Sequence, residues 1–120
     1  MISAHTLQRL LAFRSEREWQ QFHTPKNIAA SVVIEAAELL EIFQWTSEAK
    51  MEDTLQKKRS HIEQEIADIA MYLAFLVHDL GIDLEAACNR KLDINERNYP
   101  VAESRGSAEK YDELRSRRKE

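Results

Sequence analysis

Four carboxylates stand in apolar surroundings in this 120-residue chain. Glu35 and Glu38 lie inside the run from Ile28 to Phe43, and Glu65 and Asp68 lie among Ile62, Ile66, Ile69 and Ala70. Within each pair the spacing is three residues, which puts both side chains on one stripe of a helix. Antiparallel packing of the two helices would bring all four together. Left uncompensated, such a cluster repels itself and takes up protons. A hard divalent cation removes the difficulty, because ligation by oxygen alone suits Mg²⁺ or Mn²⁺. The alternative is a solvated acidic face, the reading given to Glu16, Glu18, Glu41 and Glu63. Two pairs, each inside an apolar run, favour the metal. A di-iron bundle would need Glu-x-x-His motifs, and none of His5, His23, His61 or His78 has a Glu three residues before it.

Helices must position these groups. Leu7, Leu10, Leu11, Phe13 and Arg14 recur at helical spacing and predict a first helix over about 6–22. Thr24-Pro25 reads as an N-cap followed by proline at the first helical position, opening a second helix that runs to about Trp45. That helix is apolar nearly all round, which predicts burial on most faces. Residues 46–58 read as a polar connection holding at most one short helical turn. A third helix runs through Ile62, Ile66, Ile69, Leu73 and Leu76 and stops at Gly81. Asp83 caps a fourth, which ends near Asn98-Tyr99-Pro100. Residues 105–120 carry 6 basic and 4 acidic side chains and read as a polar tail, helical around 111–114 and frayed beyond, after a domain spanning 1–104.

Composition agrees with this plan. Only 2 Gly and 2 Pro are present, too few for the many turns of an all-β fold, so an all-α bundle of four main helices is expected. The apolar second helix carries more hydrophobic surface than one small bundle covers, so a homodimer or a dimer of dimers is expected. With 17 basic against 21 acidic residues, net charge −4, the chain lacks the basic excess of a nucleic-acid binder. Its single cysteine, Cys88, supports neither a disulfide within the chain nor a cysteine-based zinc site, and it is expected in the core with Met71 and Phe75. No secretory signal is visible at Met1-Ile2-Ser3-Ala4-His5, and the longest uncharged apolar run, 69–77, is well short of the ~20 residues of a membrane span. A soluble cytoplasmic protein with no membrane partner is expected.

Other side chains are placed to bind. Tyr72 follows Asp68 by four residues on the same stripe. Lys91 and Asn95, four apart on the fourth helix, suit phosphate oxygens as a point charge and a neutral donor, or else a plain exposed face. Arg97 and Lys26 are weaker candidates for such a role. Trp19 and Trp45 lie at element ends, where an aromatic either packs or stacks on a base; Trp45 is roughly 10 Å beyond Glu38 along the helix.

The Glu35-x-x-Glu38 and Glu65-x-x-Asp68 pairs, with 26 residues between them, resemble the metal signature of the MazG-like all-α nucleoside triphosphate pyrophosphohydrolases. Glu16-Arg17-x-Trp19, Gln21-Phe22-His23-x-Pro25, Phe43-Gln44-Trp45, Lys91-x-x-x-Asn95, Tyr99-Pro100 and Ser107-Ala108-x-Lys110-Tyr111 extend the resemblance towards the dCTP pyrophosphatase branch. Two positions depart from that branch: Asn98 replaces a basic residue, and Leu10 replaces a histidine. The resemblance implies Mg²⁺ (or Mn²⁺) held by Glu35, Glu38, Glu65 and Asp68, with Glu38 the candidate base. It also implies a nucleoside pocket lined by Trp19, His23, Trp45 and Tyr72, phosphate contacts from Lys91 and Asn95, and a nucleoside triphosphate as substrate. The other class of function left open is a non-catalytic helical interaction module.

Overall fold

In the computed structural model, residues 1–118 are described, and every regular element among them is helical. The long helices are α1 (Ala4–Glu16), α2 (Pro25–Phe43), α4 (Arg59–Asp79) and α5 (Leu84–Asn98), the four expected, except that the first ends at Glu16 rather than near residue 22. Short helices α3 (Met51–Lys57), α6 (Val101–Ser104) and α7 (Tyr111–Arg118) complete the set, α7 running on past the 111–114 expected to be helical. The chain forms two compact units, residues 1–81 and 82–120.

Local chemistry sets the boundaries. The Ser3 hydroxyl caps α1 by accepting from the Thr6 N–H. Glu18 then takes a left-handed conformation, φ 54°, and turns the chain into a 3₁₀ turn over Trp19–Phe22. Thr24 accepts from the Asn27 N–H at 3.2 Å, with Pro25 at the first helical position, as the sequence predicts. Gly81, φ 61°, follows the end of α4 and donates its N–H to the His78 carbonyl. The Asp83 carboxylate caps α5 by accepting from the Ala86 N–H at 3.0 Å.

Three further expectations need correction. The segment 46–58 holds a 3₁₀ turn at Glu48–Lys50 and all of α3, more helix than a single turn. Acidic Glu52 and Asp53 in the first turn of α3, and Lys57 at its end, complement the helix dipole, and Lys57 pairs with Asp53 at 3.0 Å. Cys88 is exposed, whereas Phe75 is buried and Met71 packs against the core. Finally, α2 buries only Ile28 and Ile42; Val33, Ile34 and Leu40 are 56–68% exposed, so the chain by itself does not cover this helix.

The first unit is organised around α2 and α4. Ile28 at the start of α2 joins Leu10 of α1 and Ala74 and Phe75 near the end of α4 in one buried cluster. At the opposite end of α2, Glu38, Glu41 and Ile42 line a recess with Lys58, His61 and Glu65 from the start of α4. The two helices therefore run antiparallel. A bidentate pair, Arg14 on α1 to Asp79 on α4 with both bonds at 2.8 Å, ties α1 down against them.

Candidate active site

Antiparallel packing brings the carboxylates together. Glu35 and Glu38 on α2 and Glu65 on α4 each offer an oxygen, and the three lie within 4.8 Å of one another. Glu65 is buried, Glu35 half-buried and Glu38 exposed. One oxygen of Glu35 and one of Glu65 are buried without a hydrogen-bond partner. Burial, then hydrogen bonding to Glu38 and its charge, push the Glu35 carboxyl from 4.5 up to about 7. Asp68 lies outside the trio, and its charge contributes to that rise. Orphaned buried oxygens, oxygen-only donors and mutual repulsion suit a hard divalent cation.

The carboxylates border two hollows. A cavity of about 730 Å³ is lined by Asp68 and Tyr72 of α4, Phe13 of α1, and Trp19 and His23 from the α1–α2 connection. Trp19 meets Phe13 edge-on at 5.5 Å, and the Arg17 guanidinium covers the other ring of this pair, Phe13, at 3.7 Å. His23 lies 6.4 Å from Tyr72 and 4.9 Å from Phe75, between ring centroids. A smaller recess, about 240 Å³, is the one shared by Glu38, Glu65, Lys58 and His61. The geometry thus places an apolar, aromatic-walled space on the Asp68 side and a charged one on the Glu38 and Glu65 side.

Of the residues singled out in the sequence, Glu35, Glu38 and Glu65 converge, and Asp68, Tyr72, Trp19 and His23 share the larger cavity. Trp45 lines neither hollow and is 89% exposed. Lys91 and Asn95 lie one turn apart on α5 in the second unit, Lys91 exposed and Asn95 half-buried. Glu16, Glu18, Glu41 and Glu63 are exposed, as expected of solvated acids. Sequence reasoning missed His61, whose Nε2 lies 3.2 Å from a Glu65 oxygen; its spacing of four from Glu65 was the available signal. It also missed the Arg14–Asp79 pair beside the aromatic cavity.

Residues 30–114 match the MazG-like family. The chain is 41% identical over 104 residues to dCTP pyrophosphatase 1 of Rattus norvegicus and 38% identical over 104 residues to that of Homo sapiens. Each match covers 85% of this chain and 61% of the relative, so the chain spans about three-fifths of their length. A crystal structure of a pyrophosphatase from Archaeoglobus fulgidus DSM 4304 superposes with a TM-score of 0.76 at 44% identity, covering 83% of this chain and 96% of that one.

Proposed function

Because the chain belongs to the MazG-like family, we propose that it hydrolyses nucleoside triphosphates, dCTP or a related or modified pyrimidine nucleotide foremost, to the monophosphate and pyrophosphate. The observation that carries this reading is the carboxylate cluster with its two orphaned buried oxygens, set against an aromatic-walled cavity. The names of the rat, human and archaeal relatives support it.

Glu35, Glu38, Glu65 and Asp68 would hold Mg²⁺, or Mn²⁺ in its place. Bound there, the cation neutralises triphosphate charge and lowers the proton affinity of water. Glu38, the exposed member of the trio, is the carboxylate free to take a proton from the attacking water. Trp19 and Tyr72 offer aromatic faces to the base, and His23 a polar edge. Lys91 and Asn95 are assigned to phosphate oxygens. Trp45, exposed in the single chain, would reach a base only in an assembly, and the bare apolar face of α2 supports a homodimer or homotetramer. No described helix is long and apolar enough to cross a membrane; a cytoplasmic location is part of the proposal.

The test is a panel of nucleotides incubated with the protein and Mg²⁺. Monophosphate and pyrophosphate should appear in equal amounts with no orthophosphate. Release of orthophosphate and a diphosphate would move the protein to another reaction class, and no turnover of any nucleotide would favour an interaction module.

A further inference from the structure

Arg14 sits inside the apolar stripe of α1 and is only 3% exposed. Its carboxylate partner, Asp79, is 65 residues away and accepts two 2.8 Å hydrogen bonds in a planar fork. This fixes the guanidinium in one orientation, with its carbon 4.6 Å from the centroid of the Phe75 ring. Phe75 is itself buried, and its centroid lies 4.9 Å from that of His23. A chain of contacts therefore runs from Asp79 through Arg14 and Phe75 to His23.

His23 is where this chain ends and the cavity begins. The ring packs against Phe75 and Tyr72, and its Nδ1 is buried without a hydrogen-bond partner. Desolvation, then the positive charge of Arg14, hold the His23 imidazole below its ordinary value, against a smaller opposing pull from Asp79. A neutral imidazole has one donor and one acceptor nitrogen, whereas a protonated ring has only donors. The His23 ring also lines the aromatic-walled cavity, where a heterocyclic ligand with hydrogen-bonding edges would meet it.

We infer that Arg14 is a positioning residue for base selection: locked by Asp79, it clamps Phe75 and through it fixes the orientation of the His23 ring at the wall of the aromatic cavity. The inference rests on the proposed nucleotide hydrolysis. It adds that discrimination among bases depends on a charged pair that touches no substrate. The bidentate fork also explains why lysine would be a poor substitute, since a single ammonium cannot both grip two carboxylate oxygens and lie flat over the ring.

The test uses the full chain in two forms besides the parent. Arg14→Met combined with Asp79→Leu removes the pair while keeping an apolar, space-filling contact, which protects the fold. Arg14→Lys keeps the charge and loses the fork. In steady-state assays with Mg²⁺, the double variant should raise KM for the best nucleotide about tenfold, leave KM for poor ones and kcat within twofold, and so flatten the base preference. Arg14→Lys should fall between it and the parent. Without metal or nucleotide, nitrogen-15 NMR at pH 7 should show one neutral His23 tautomer in the parent and averaging between tautomers in the double variant. An unchanged base preference, or an equal fall in kcat for every nucleotide, would overturn the inference and leave the pair a structural tie. If the parent turns over no nucleotide at all, the hydrolase reading falls, and the His23 tautomers alone then decide whether Arg14 positions the ring.

Discussion

Helix α4 takes part in a cluster of charges at each end, and the two clusters are handled in opposite ways. Near its C-terminus, Asp79 faces Arg14 across two 2.8 Å hydrogen bonds, and the guanidinium holds the Asp79 carboxyl below its usual range. Near its N-terminal half, Glu65 meets Glu35 and Glu38, and Glu35 is pushed up to about 7. The fold is thus able to neutralise a buried charge, that of Arg14, where neutrality is all that is needed. At the acidic trio, among the described residues, no lysine or arginine forms an ion pair with Glu35, Glu38 or Glu65; the nearest basic groups are His61, 3.2 Å from Glu65, and Lys58 in the same recess. The difference teaches that the trio, unlike the Arg14–Asp79 end, could take a positive charge from outside the chain, and that its crowding costs stability while no such charge is bound.

The comparison breaks most visibly by removing charge from the acidic end. Glu38→Gln and Asp68→Asn should each reduce Mg²⁺-dependent turnover by on the order of 10²–10³-fold or more, with the fold intact by circular dichroism. Near-normal turnover in both variants would mean that these carboxylates are not the working site.

At the other end, the effect should fall on stability. Asp79→Leu alone leaves Arg14, 3% exposed, without its carboxylate and should cost about 3 kcal/mol in urea unfolding, the penalty for an uncompensated buried charge. The paired change Arg14→Met with Asp79→Leu should recover most of that loss. A single variant as stable as the parent would remove the contrast between the two ends.

A third measurement separates packing from recognition. Trp45 is 89% exposed, so Trp45→Ala should leave the unfolding midpoint of the isolated chain unchanged. If an assembly brings the ring to the base, KM for the best nucleotide should rise about tenfold, within the roughly 1–3 kcal/mol of a base–aromatic stack. Light scattering on the parent should then report two or more chains; a monomer that turns over nucleotide with Trp45 removed at no cost would exclude Trp45 from the pocket.

What the sequence revealed follows from helical periodicity. The Glu35–Glu38 and Glu65–Asp68 pairs were legible because a spacing of three maps directly onto one helix face, and the Thr24-Pro25, Gly81 and Asp83 boundaries were legible because each carries its own local chemistry. Helix α3 was not, because Met51 and Leu55 alone leave almost no apolar stripe and its support comes from charges. The turn at Glu18 was hidden because a left-handed residue is normally signalled by Gly or Asn. Arg14–Asp79 was illegible for a different reason: partners 65 residues apart leave no spacing to read. The apolar pattern of α2 overstated its burial, since the pattern reports every surface the helix covers, including any supplied by another chain.

The smallest effect is also the most specific to the unpaired end. In metal-free buffer Glu35 is a carboxyl whose folded value, about 7, lies above its unfolded value near 4.5. Between those values the folded chain binds more protons than the unfolded chain, so stability is greatest below about 4.5 and is lost as pH rises towards and through 7. Asp79 has the opposite sign: its lowered value contributes stability above the unfolded value near 3.8, lost only as pH falls through the folded value. Glu35→Gln removes the ionisable group and the crowding together. At pH 8 it should stabilise the metal-free protein by on the order of 1 kcal/mol, a modest gain because Glu35 keeps partial contact with solvent. The same variant should weaken Mg²⁺ binding in calorimetry and lose the slope of stability between pH 5 and about 7 that the parent displays. Added Mg²⁺ should stabilise the parent at pH 8 more than at pH 6, because protons compete with the cation for the same oxygens. A parent whose metal-free stability is flat across that window would mean that the trio is not crowded, and the contrast between the two ends of α4 would no longer point to an external cation.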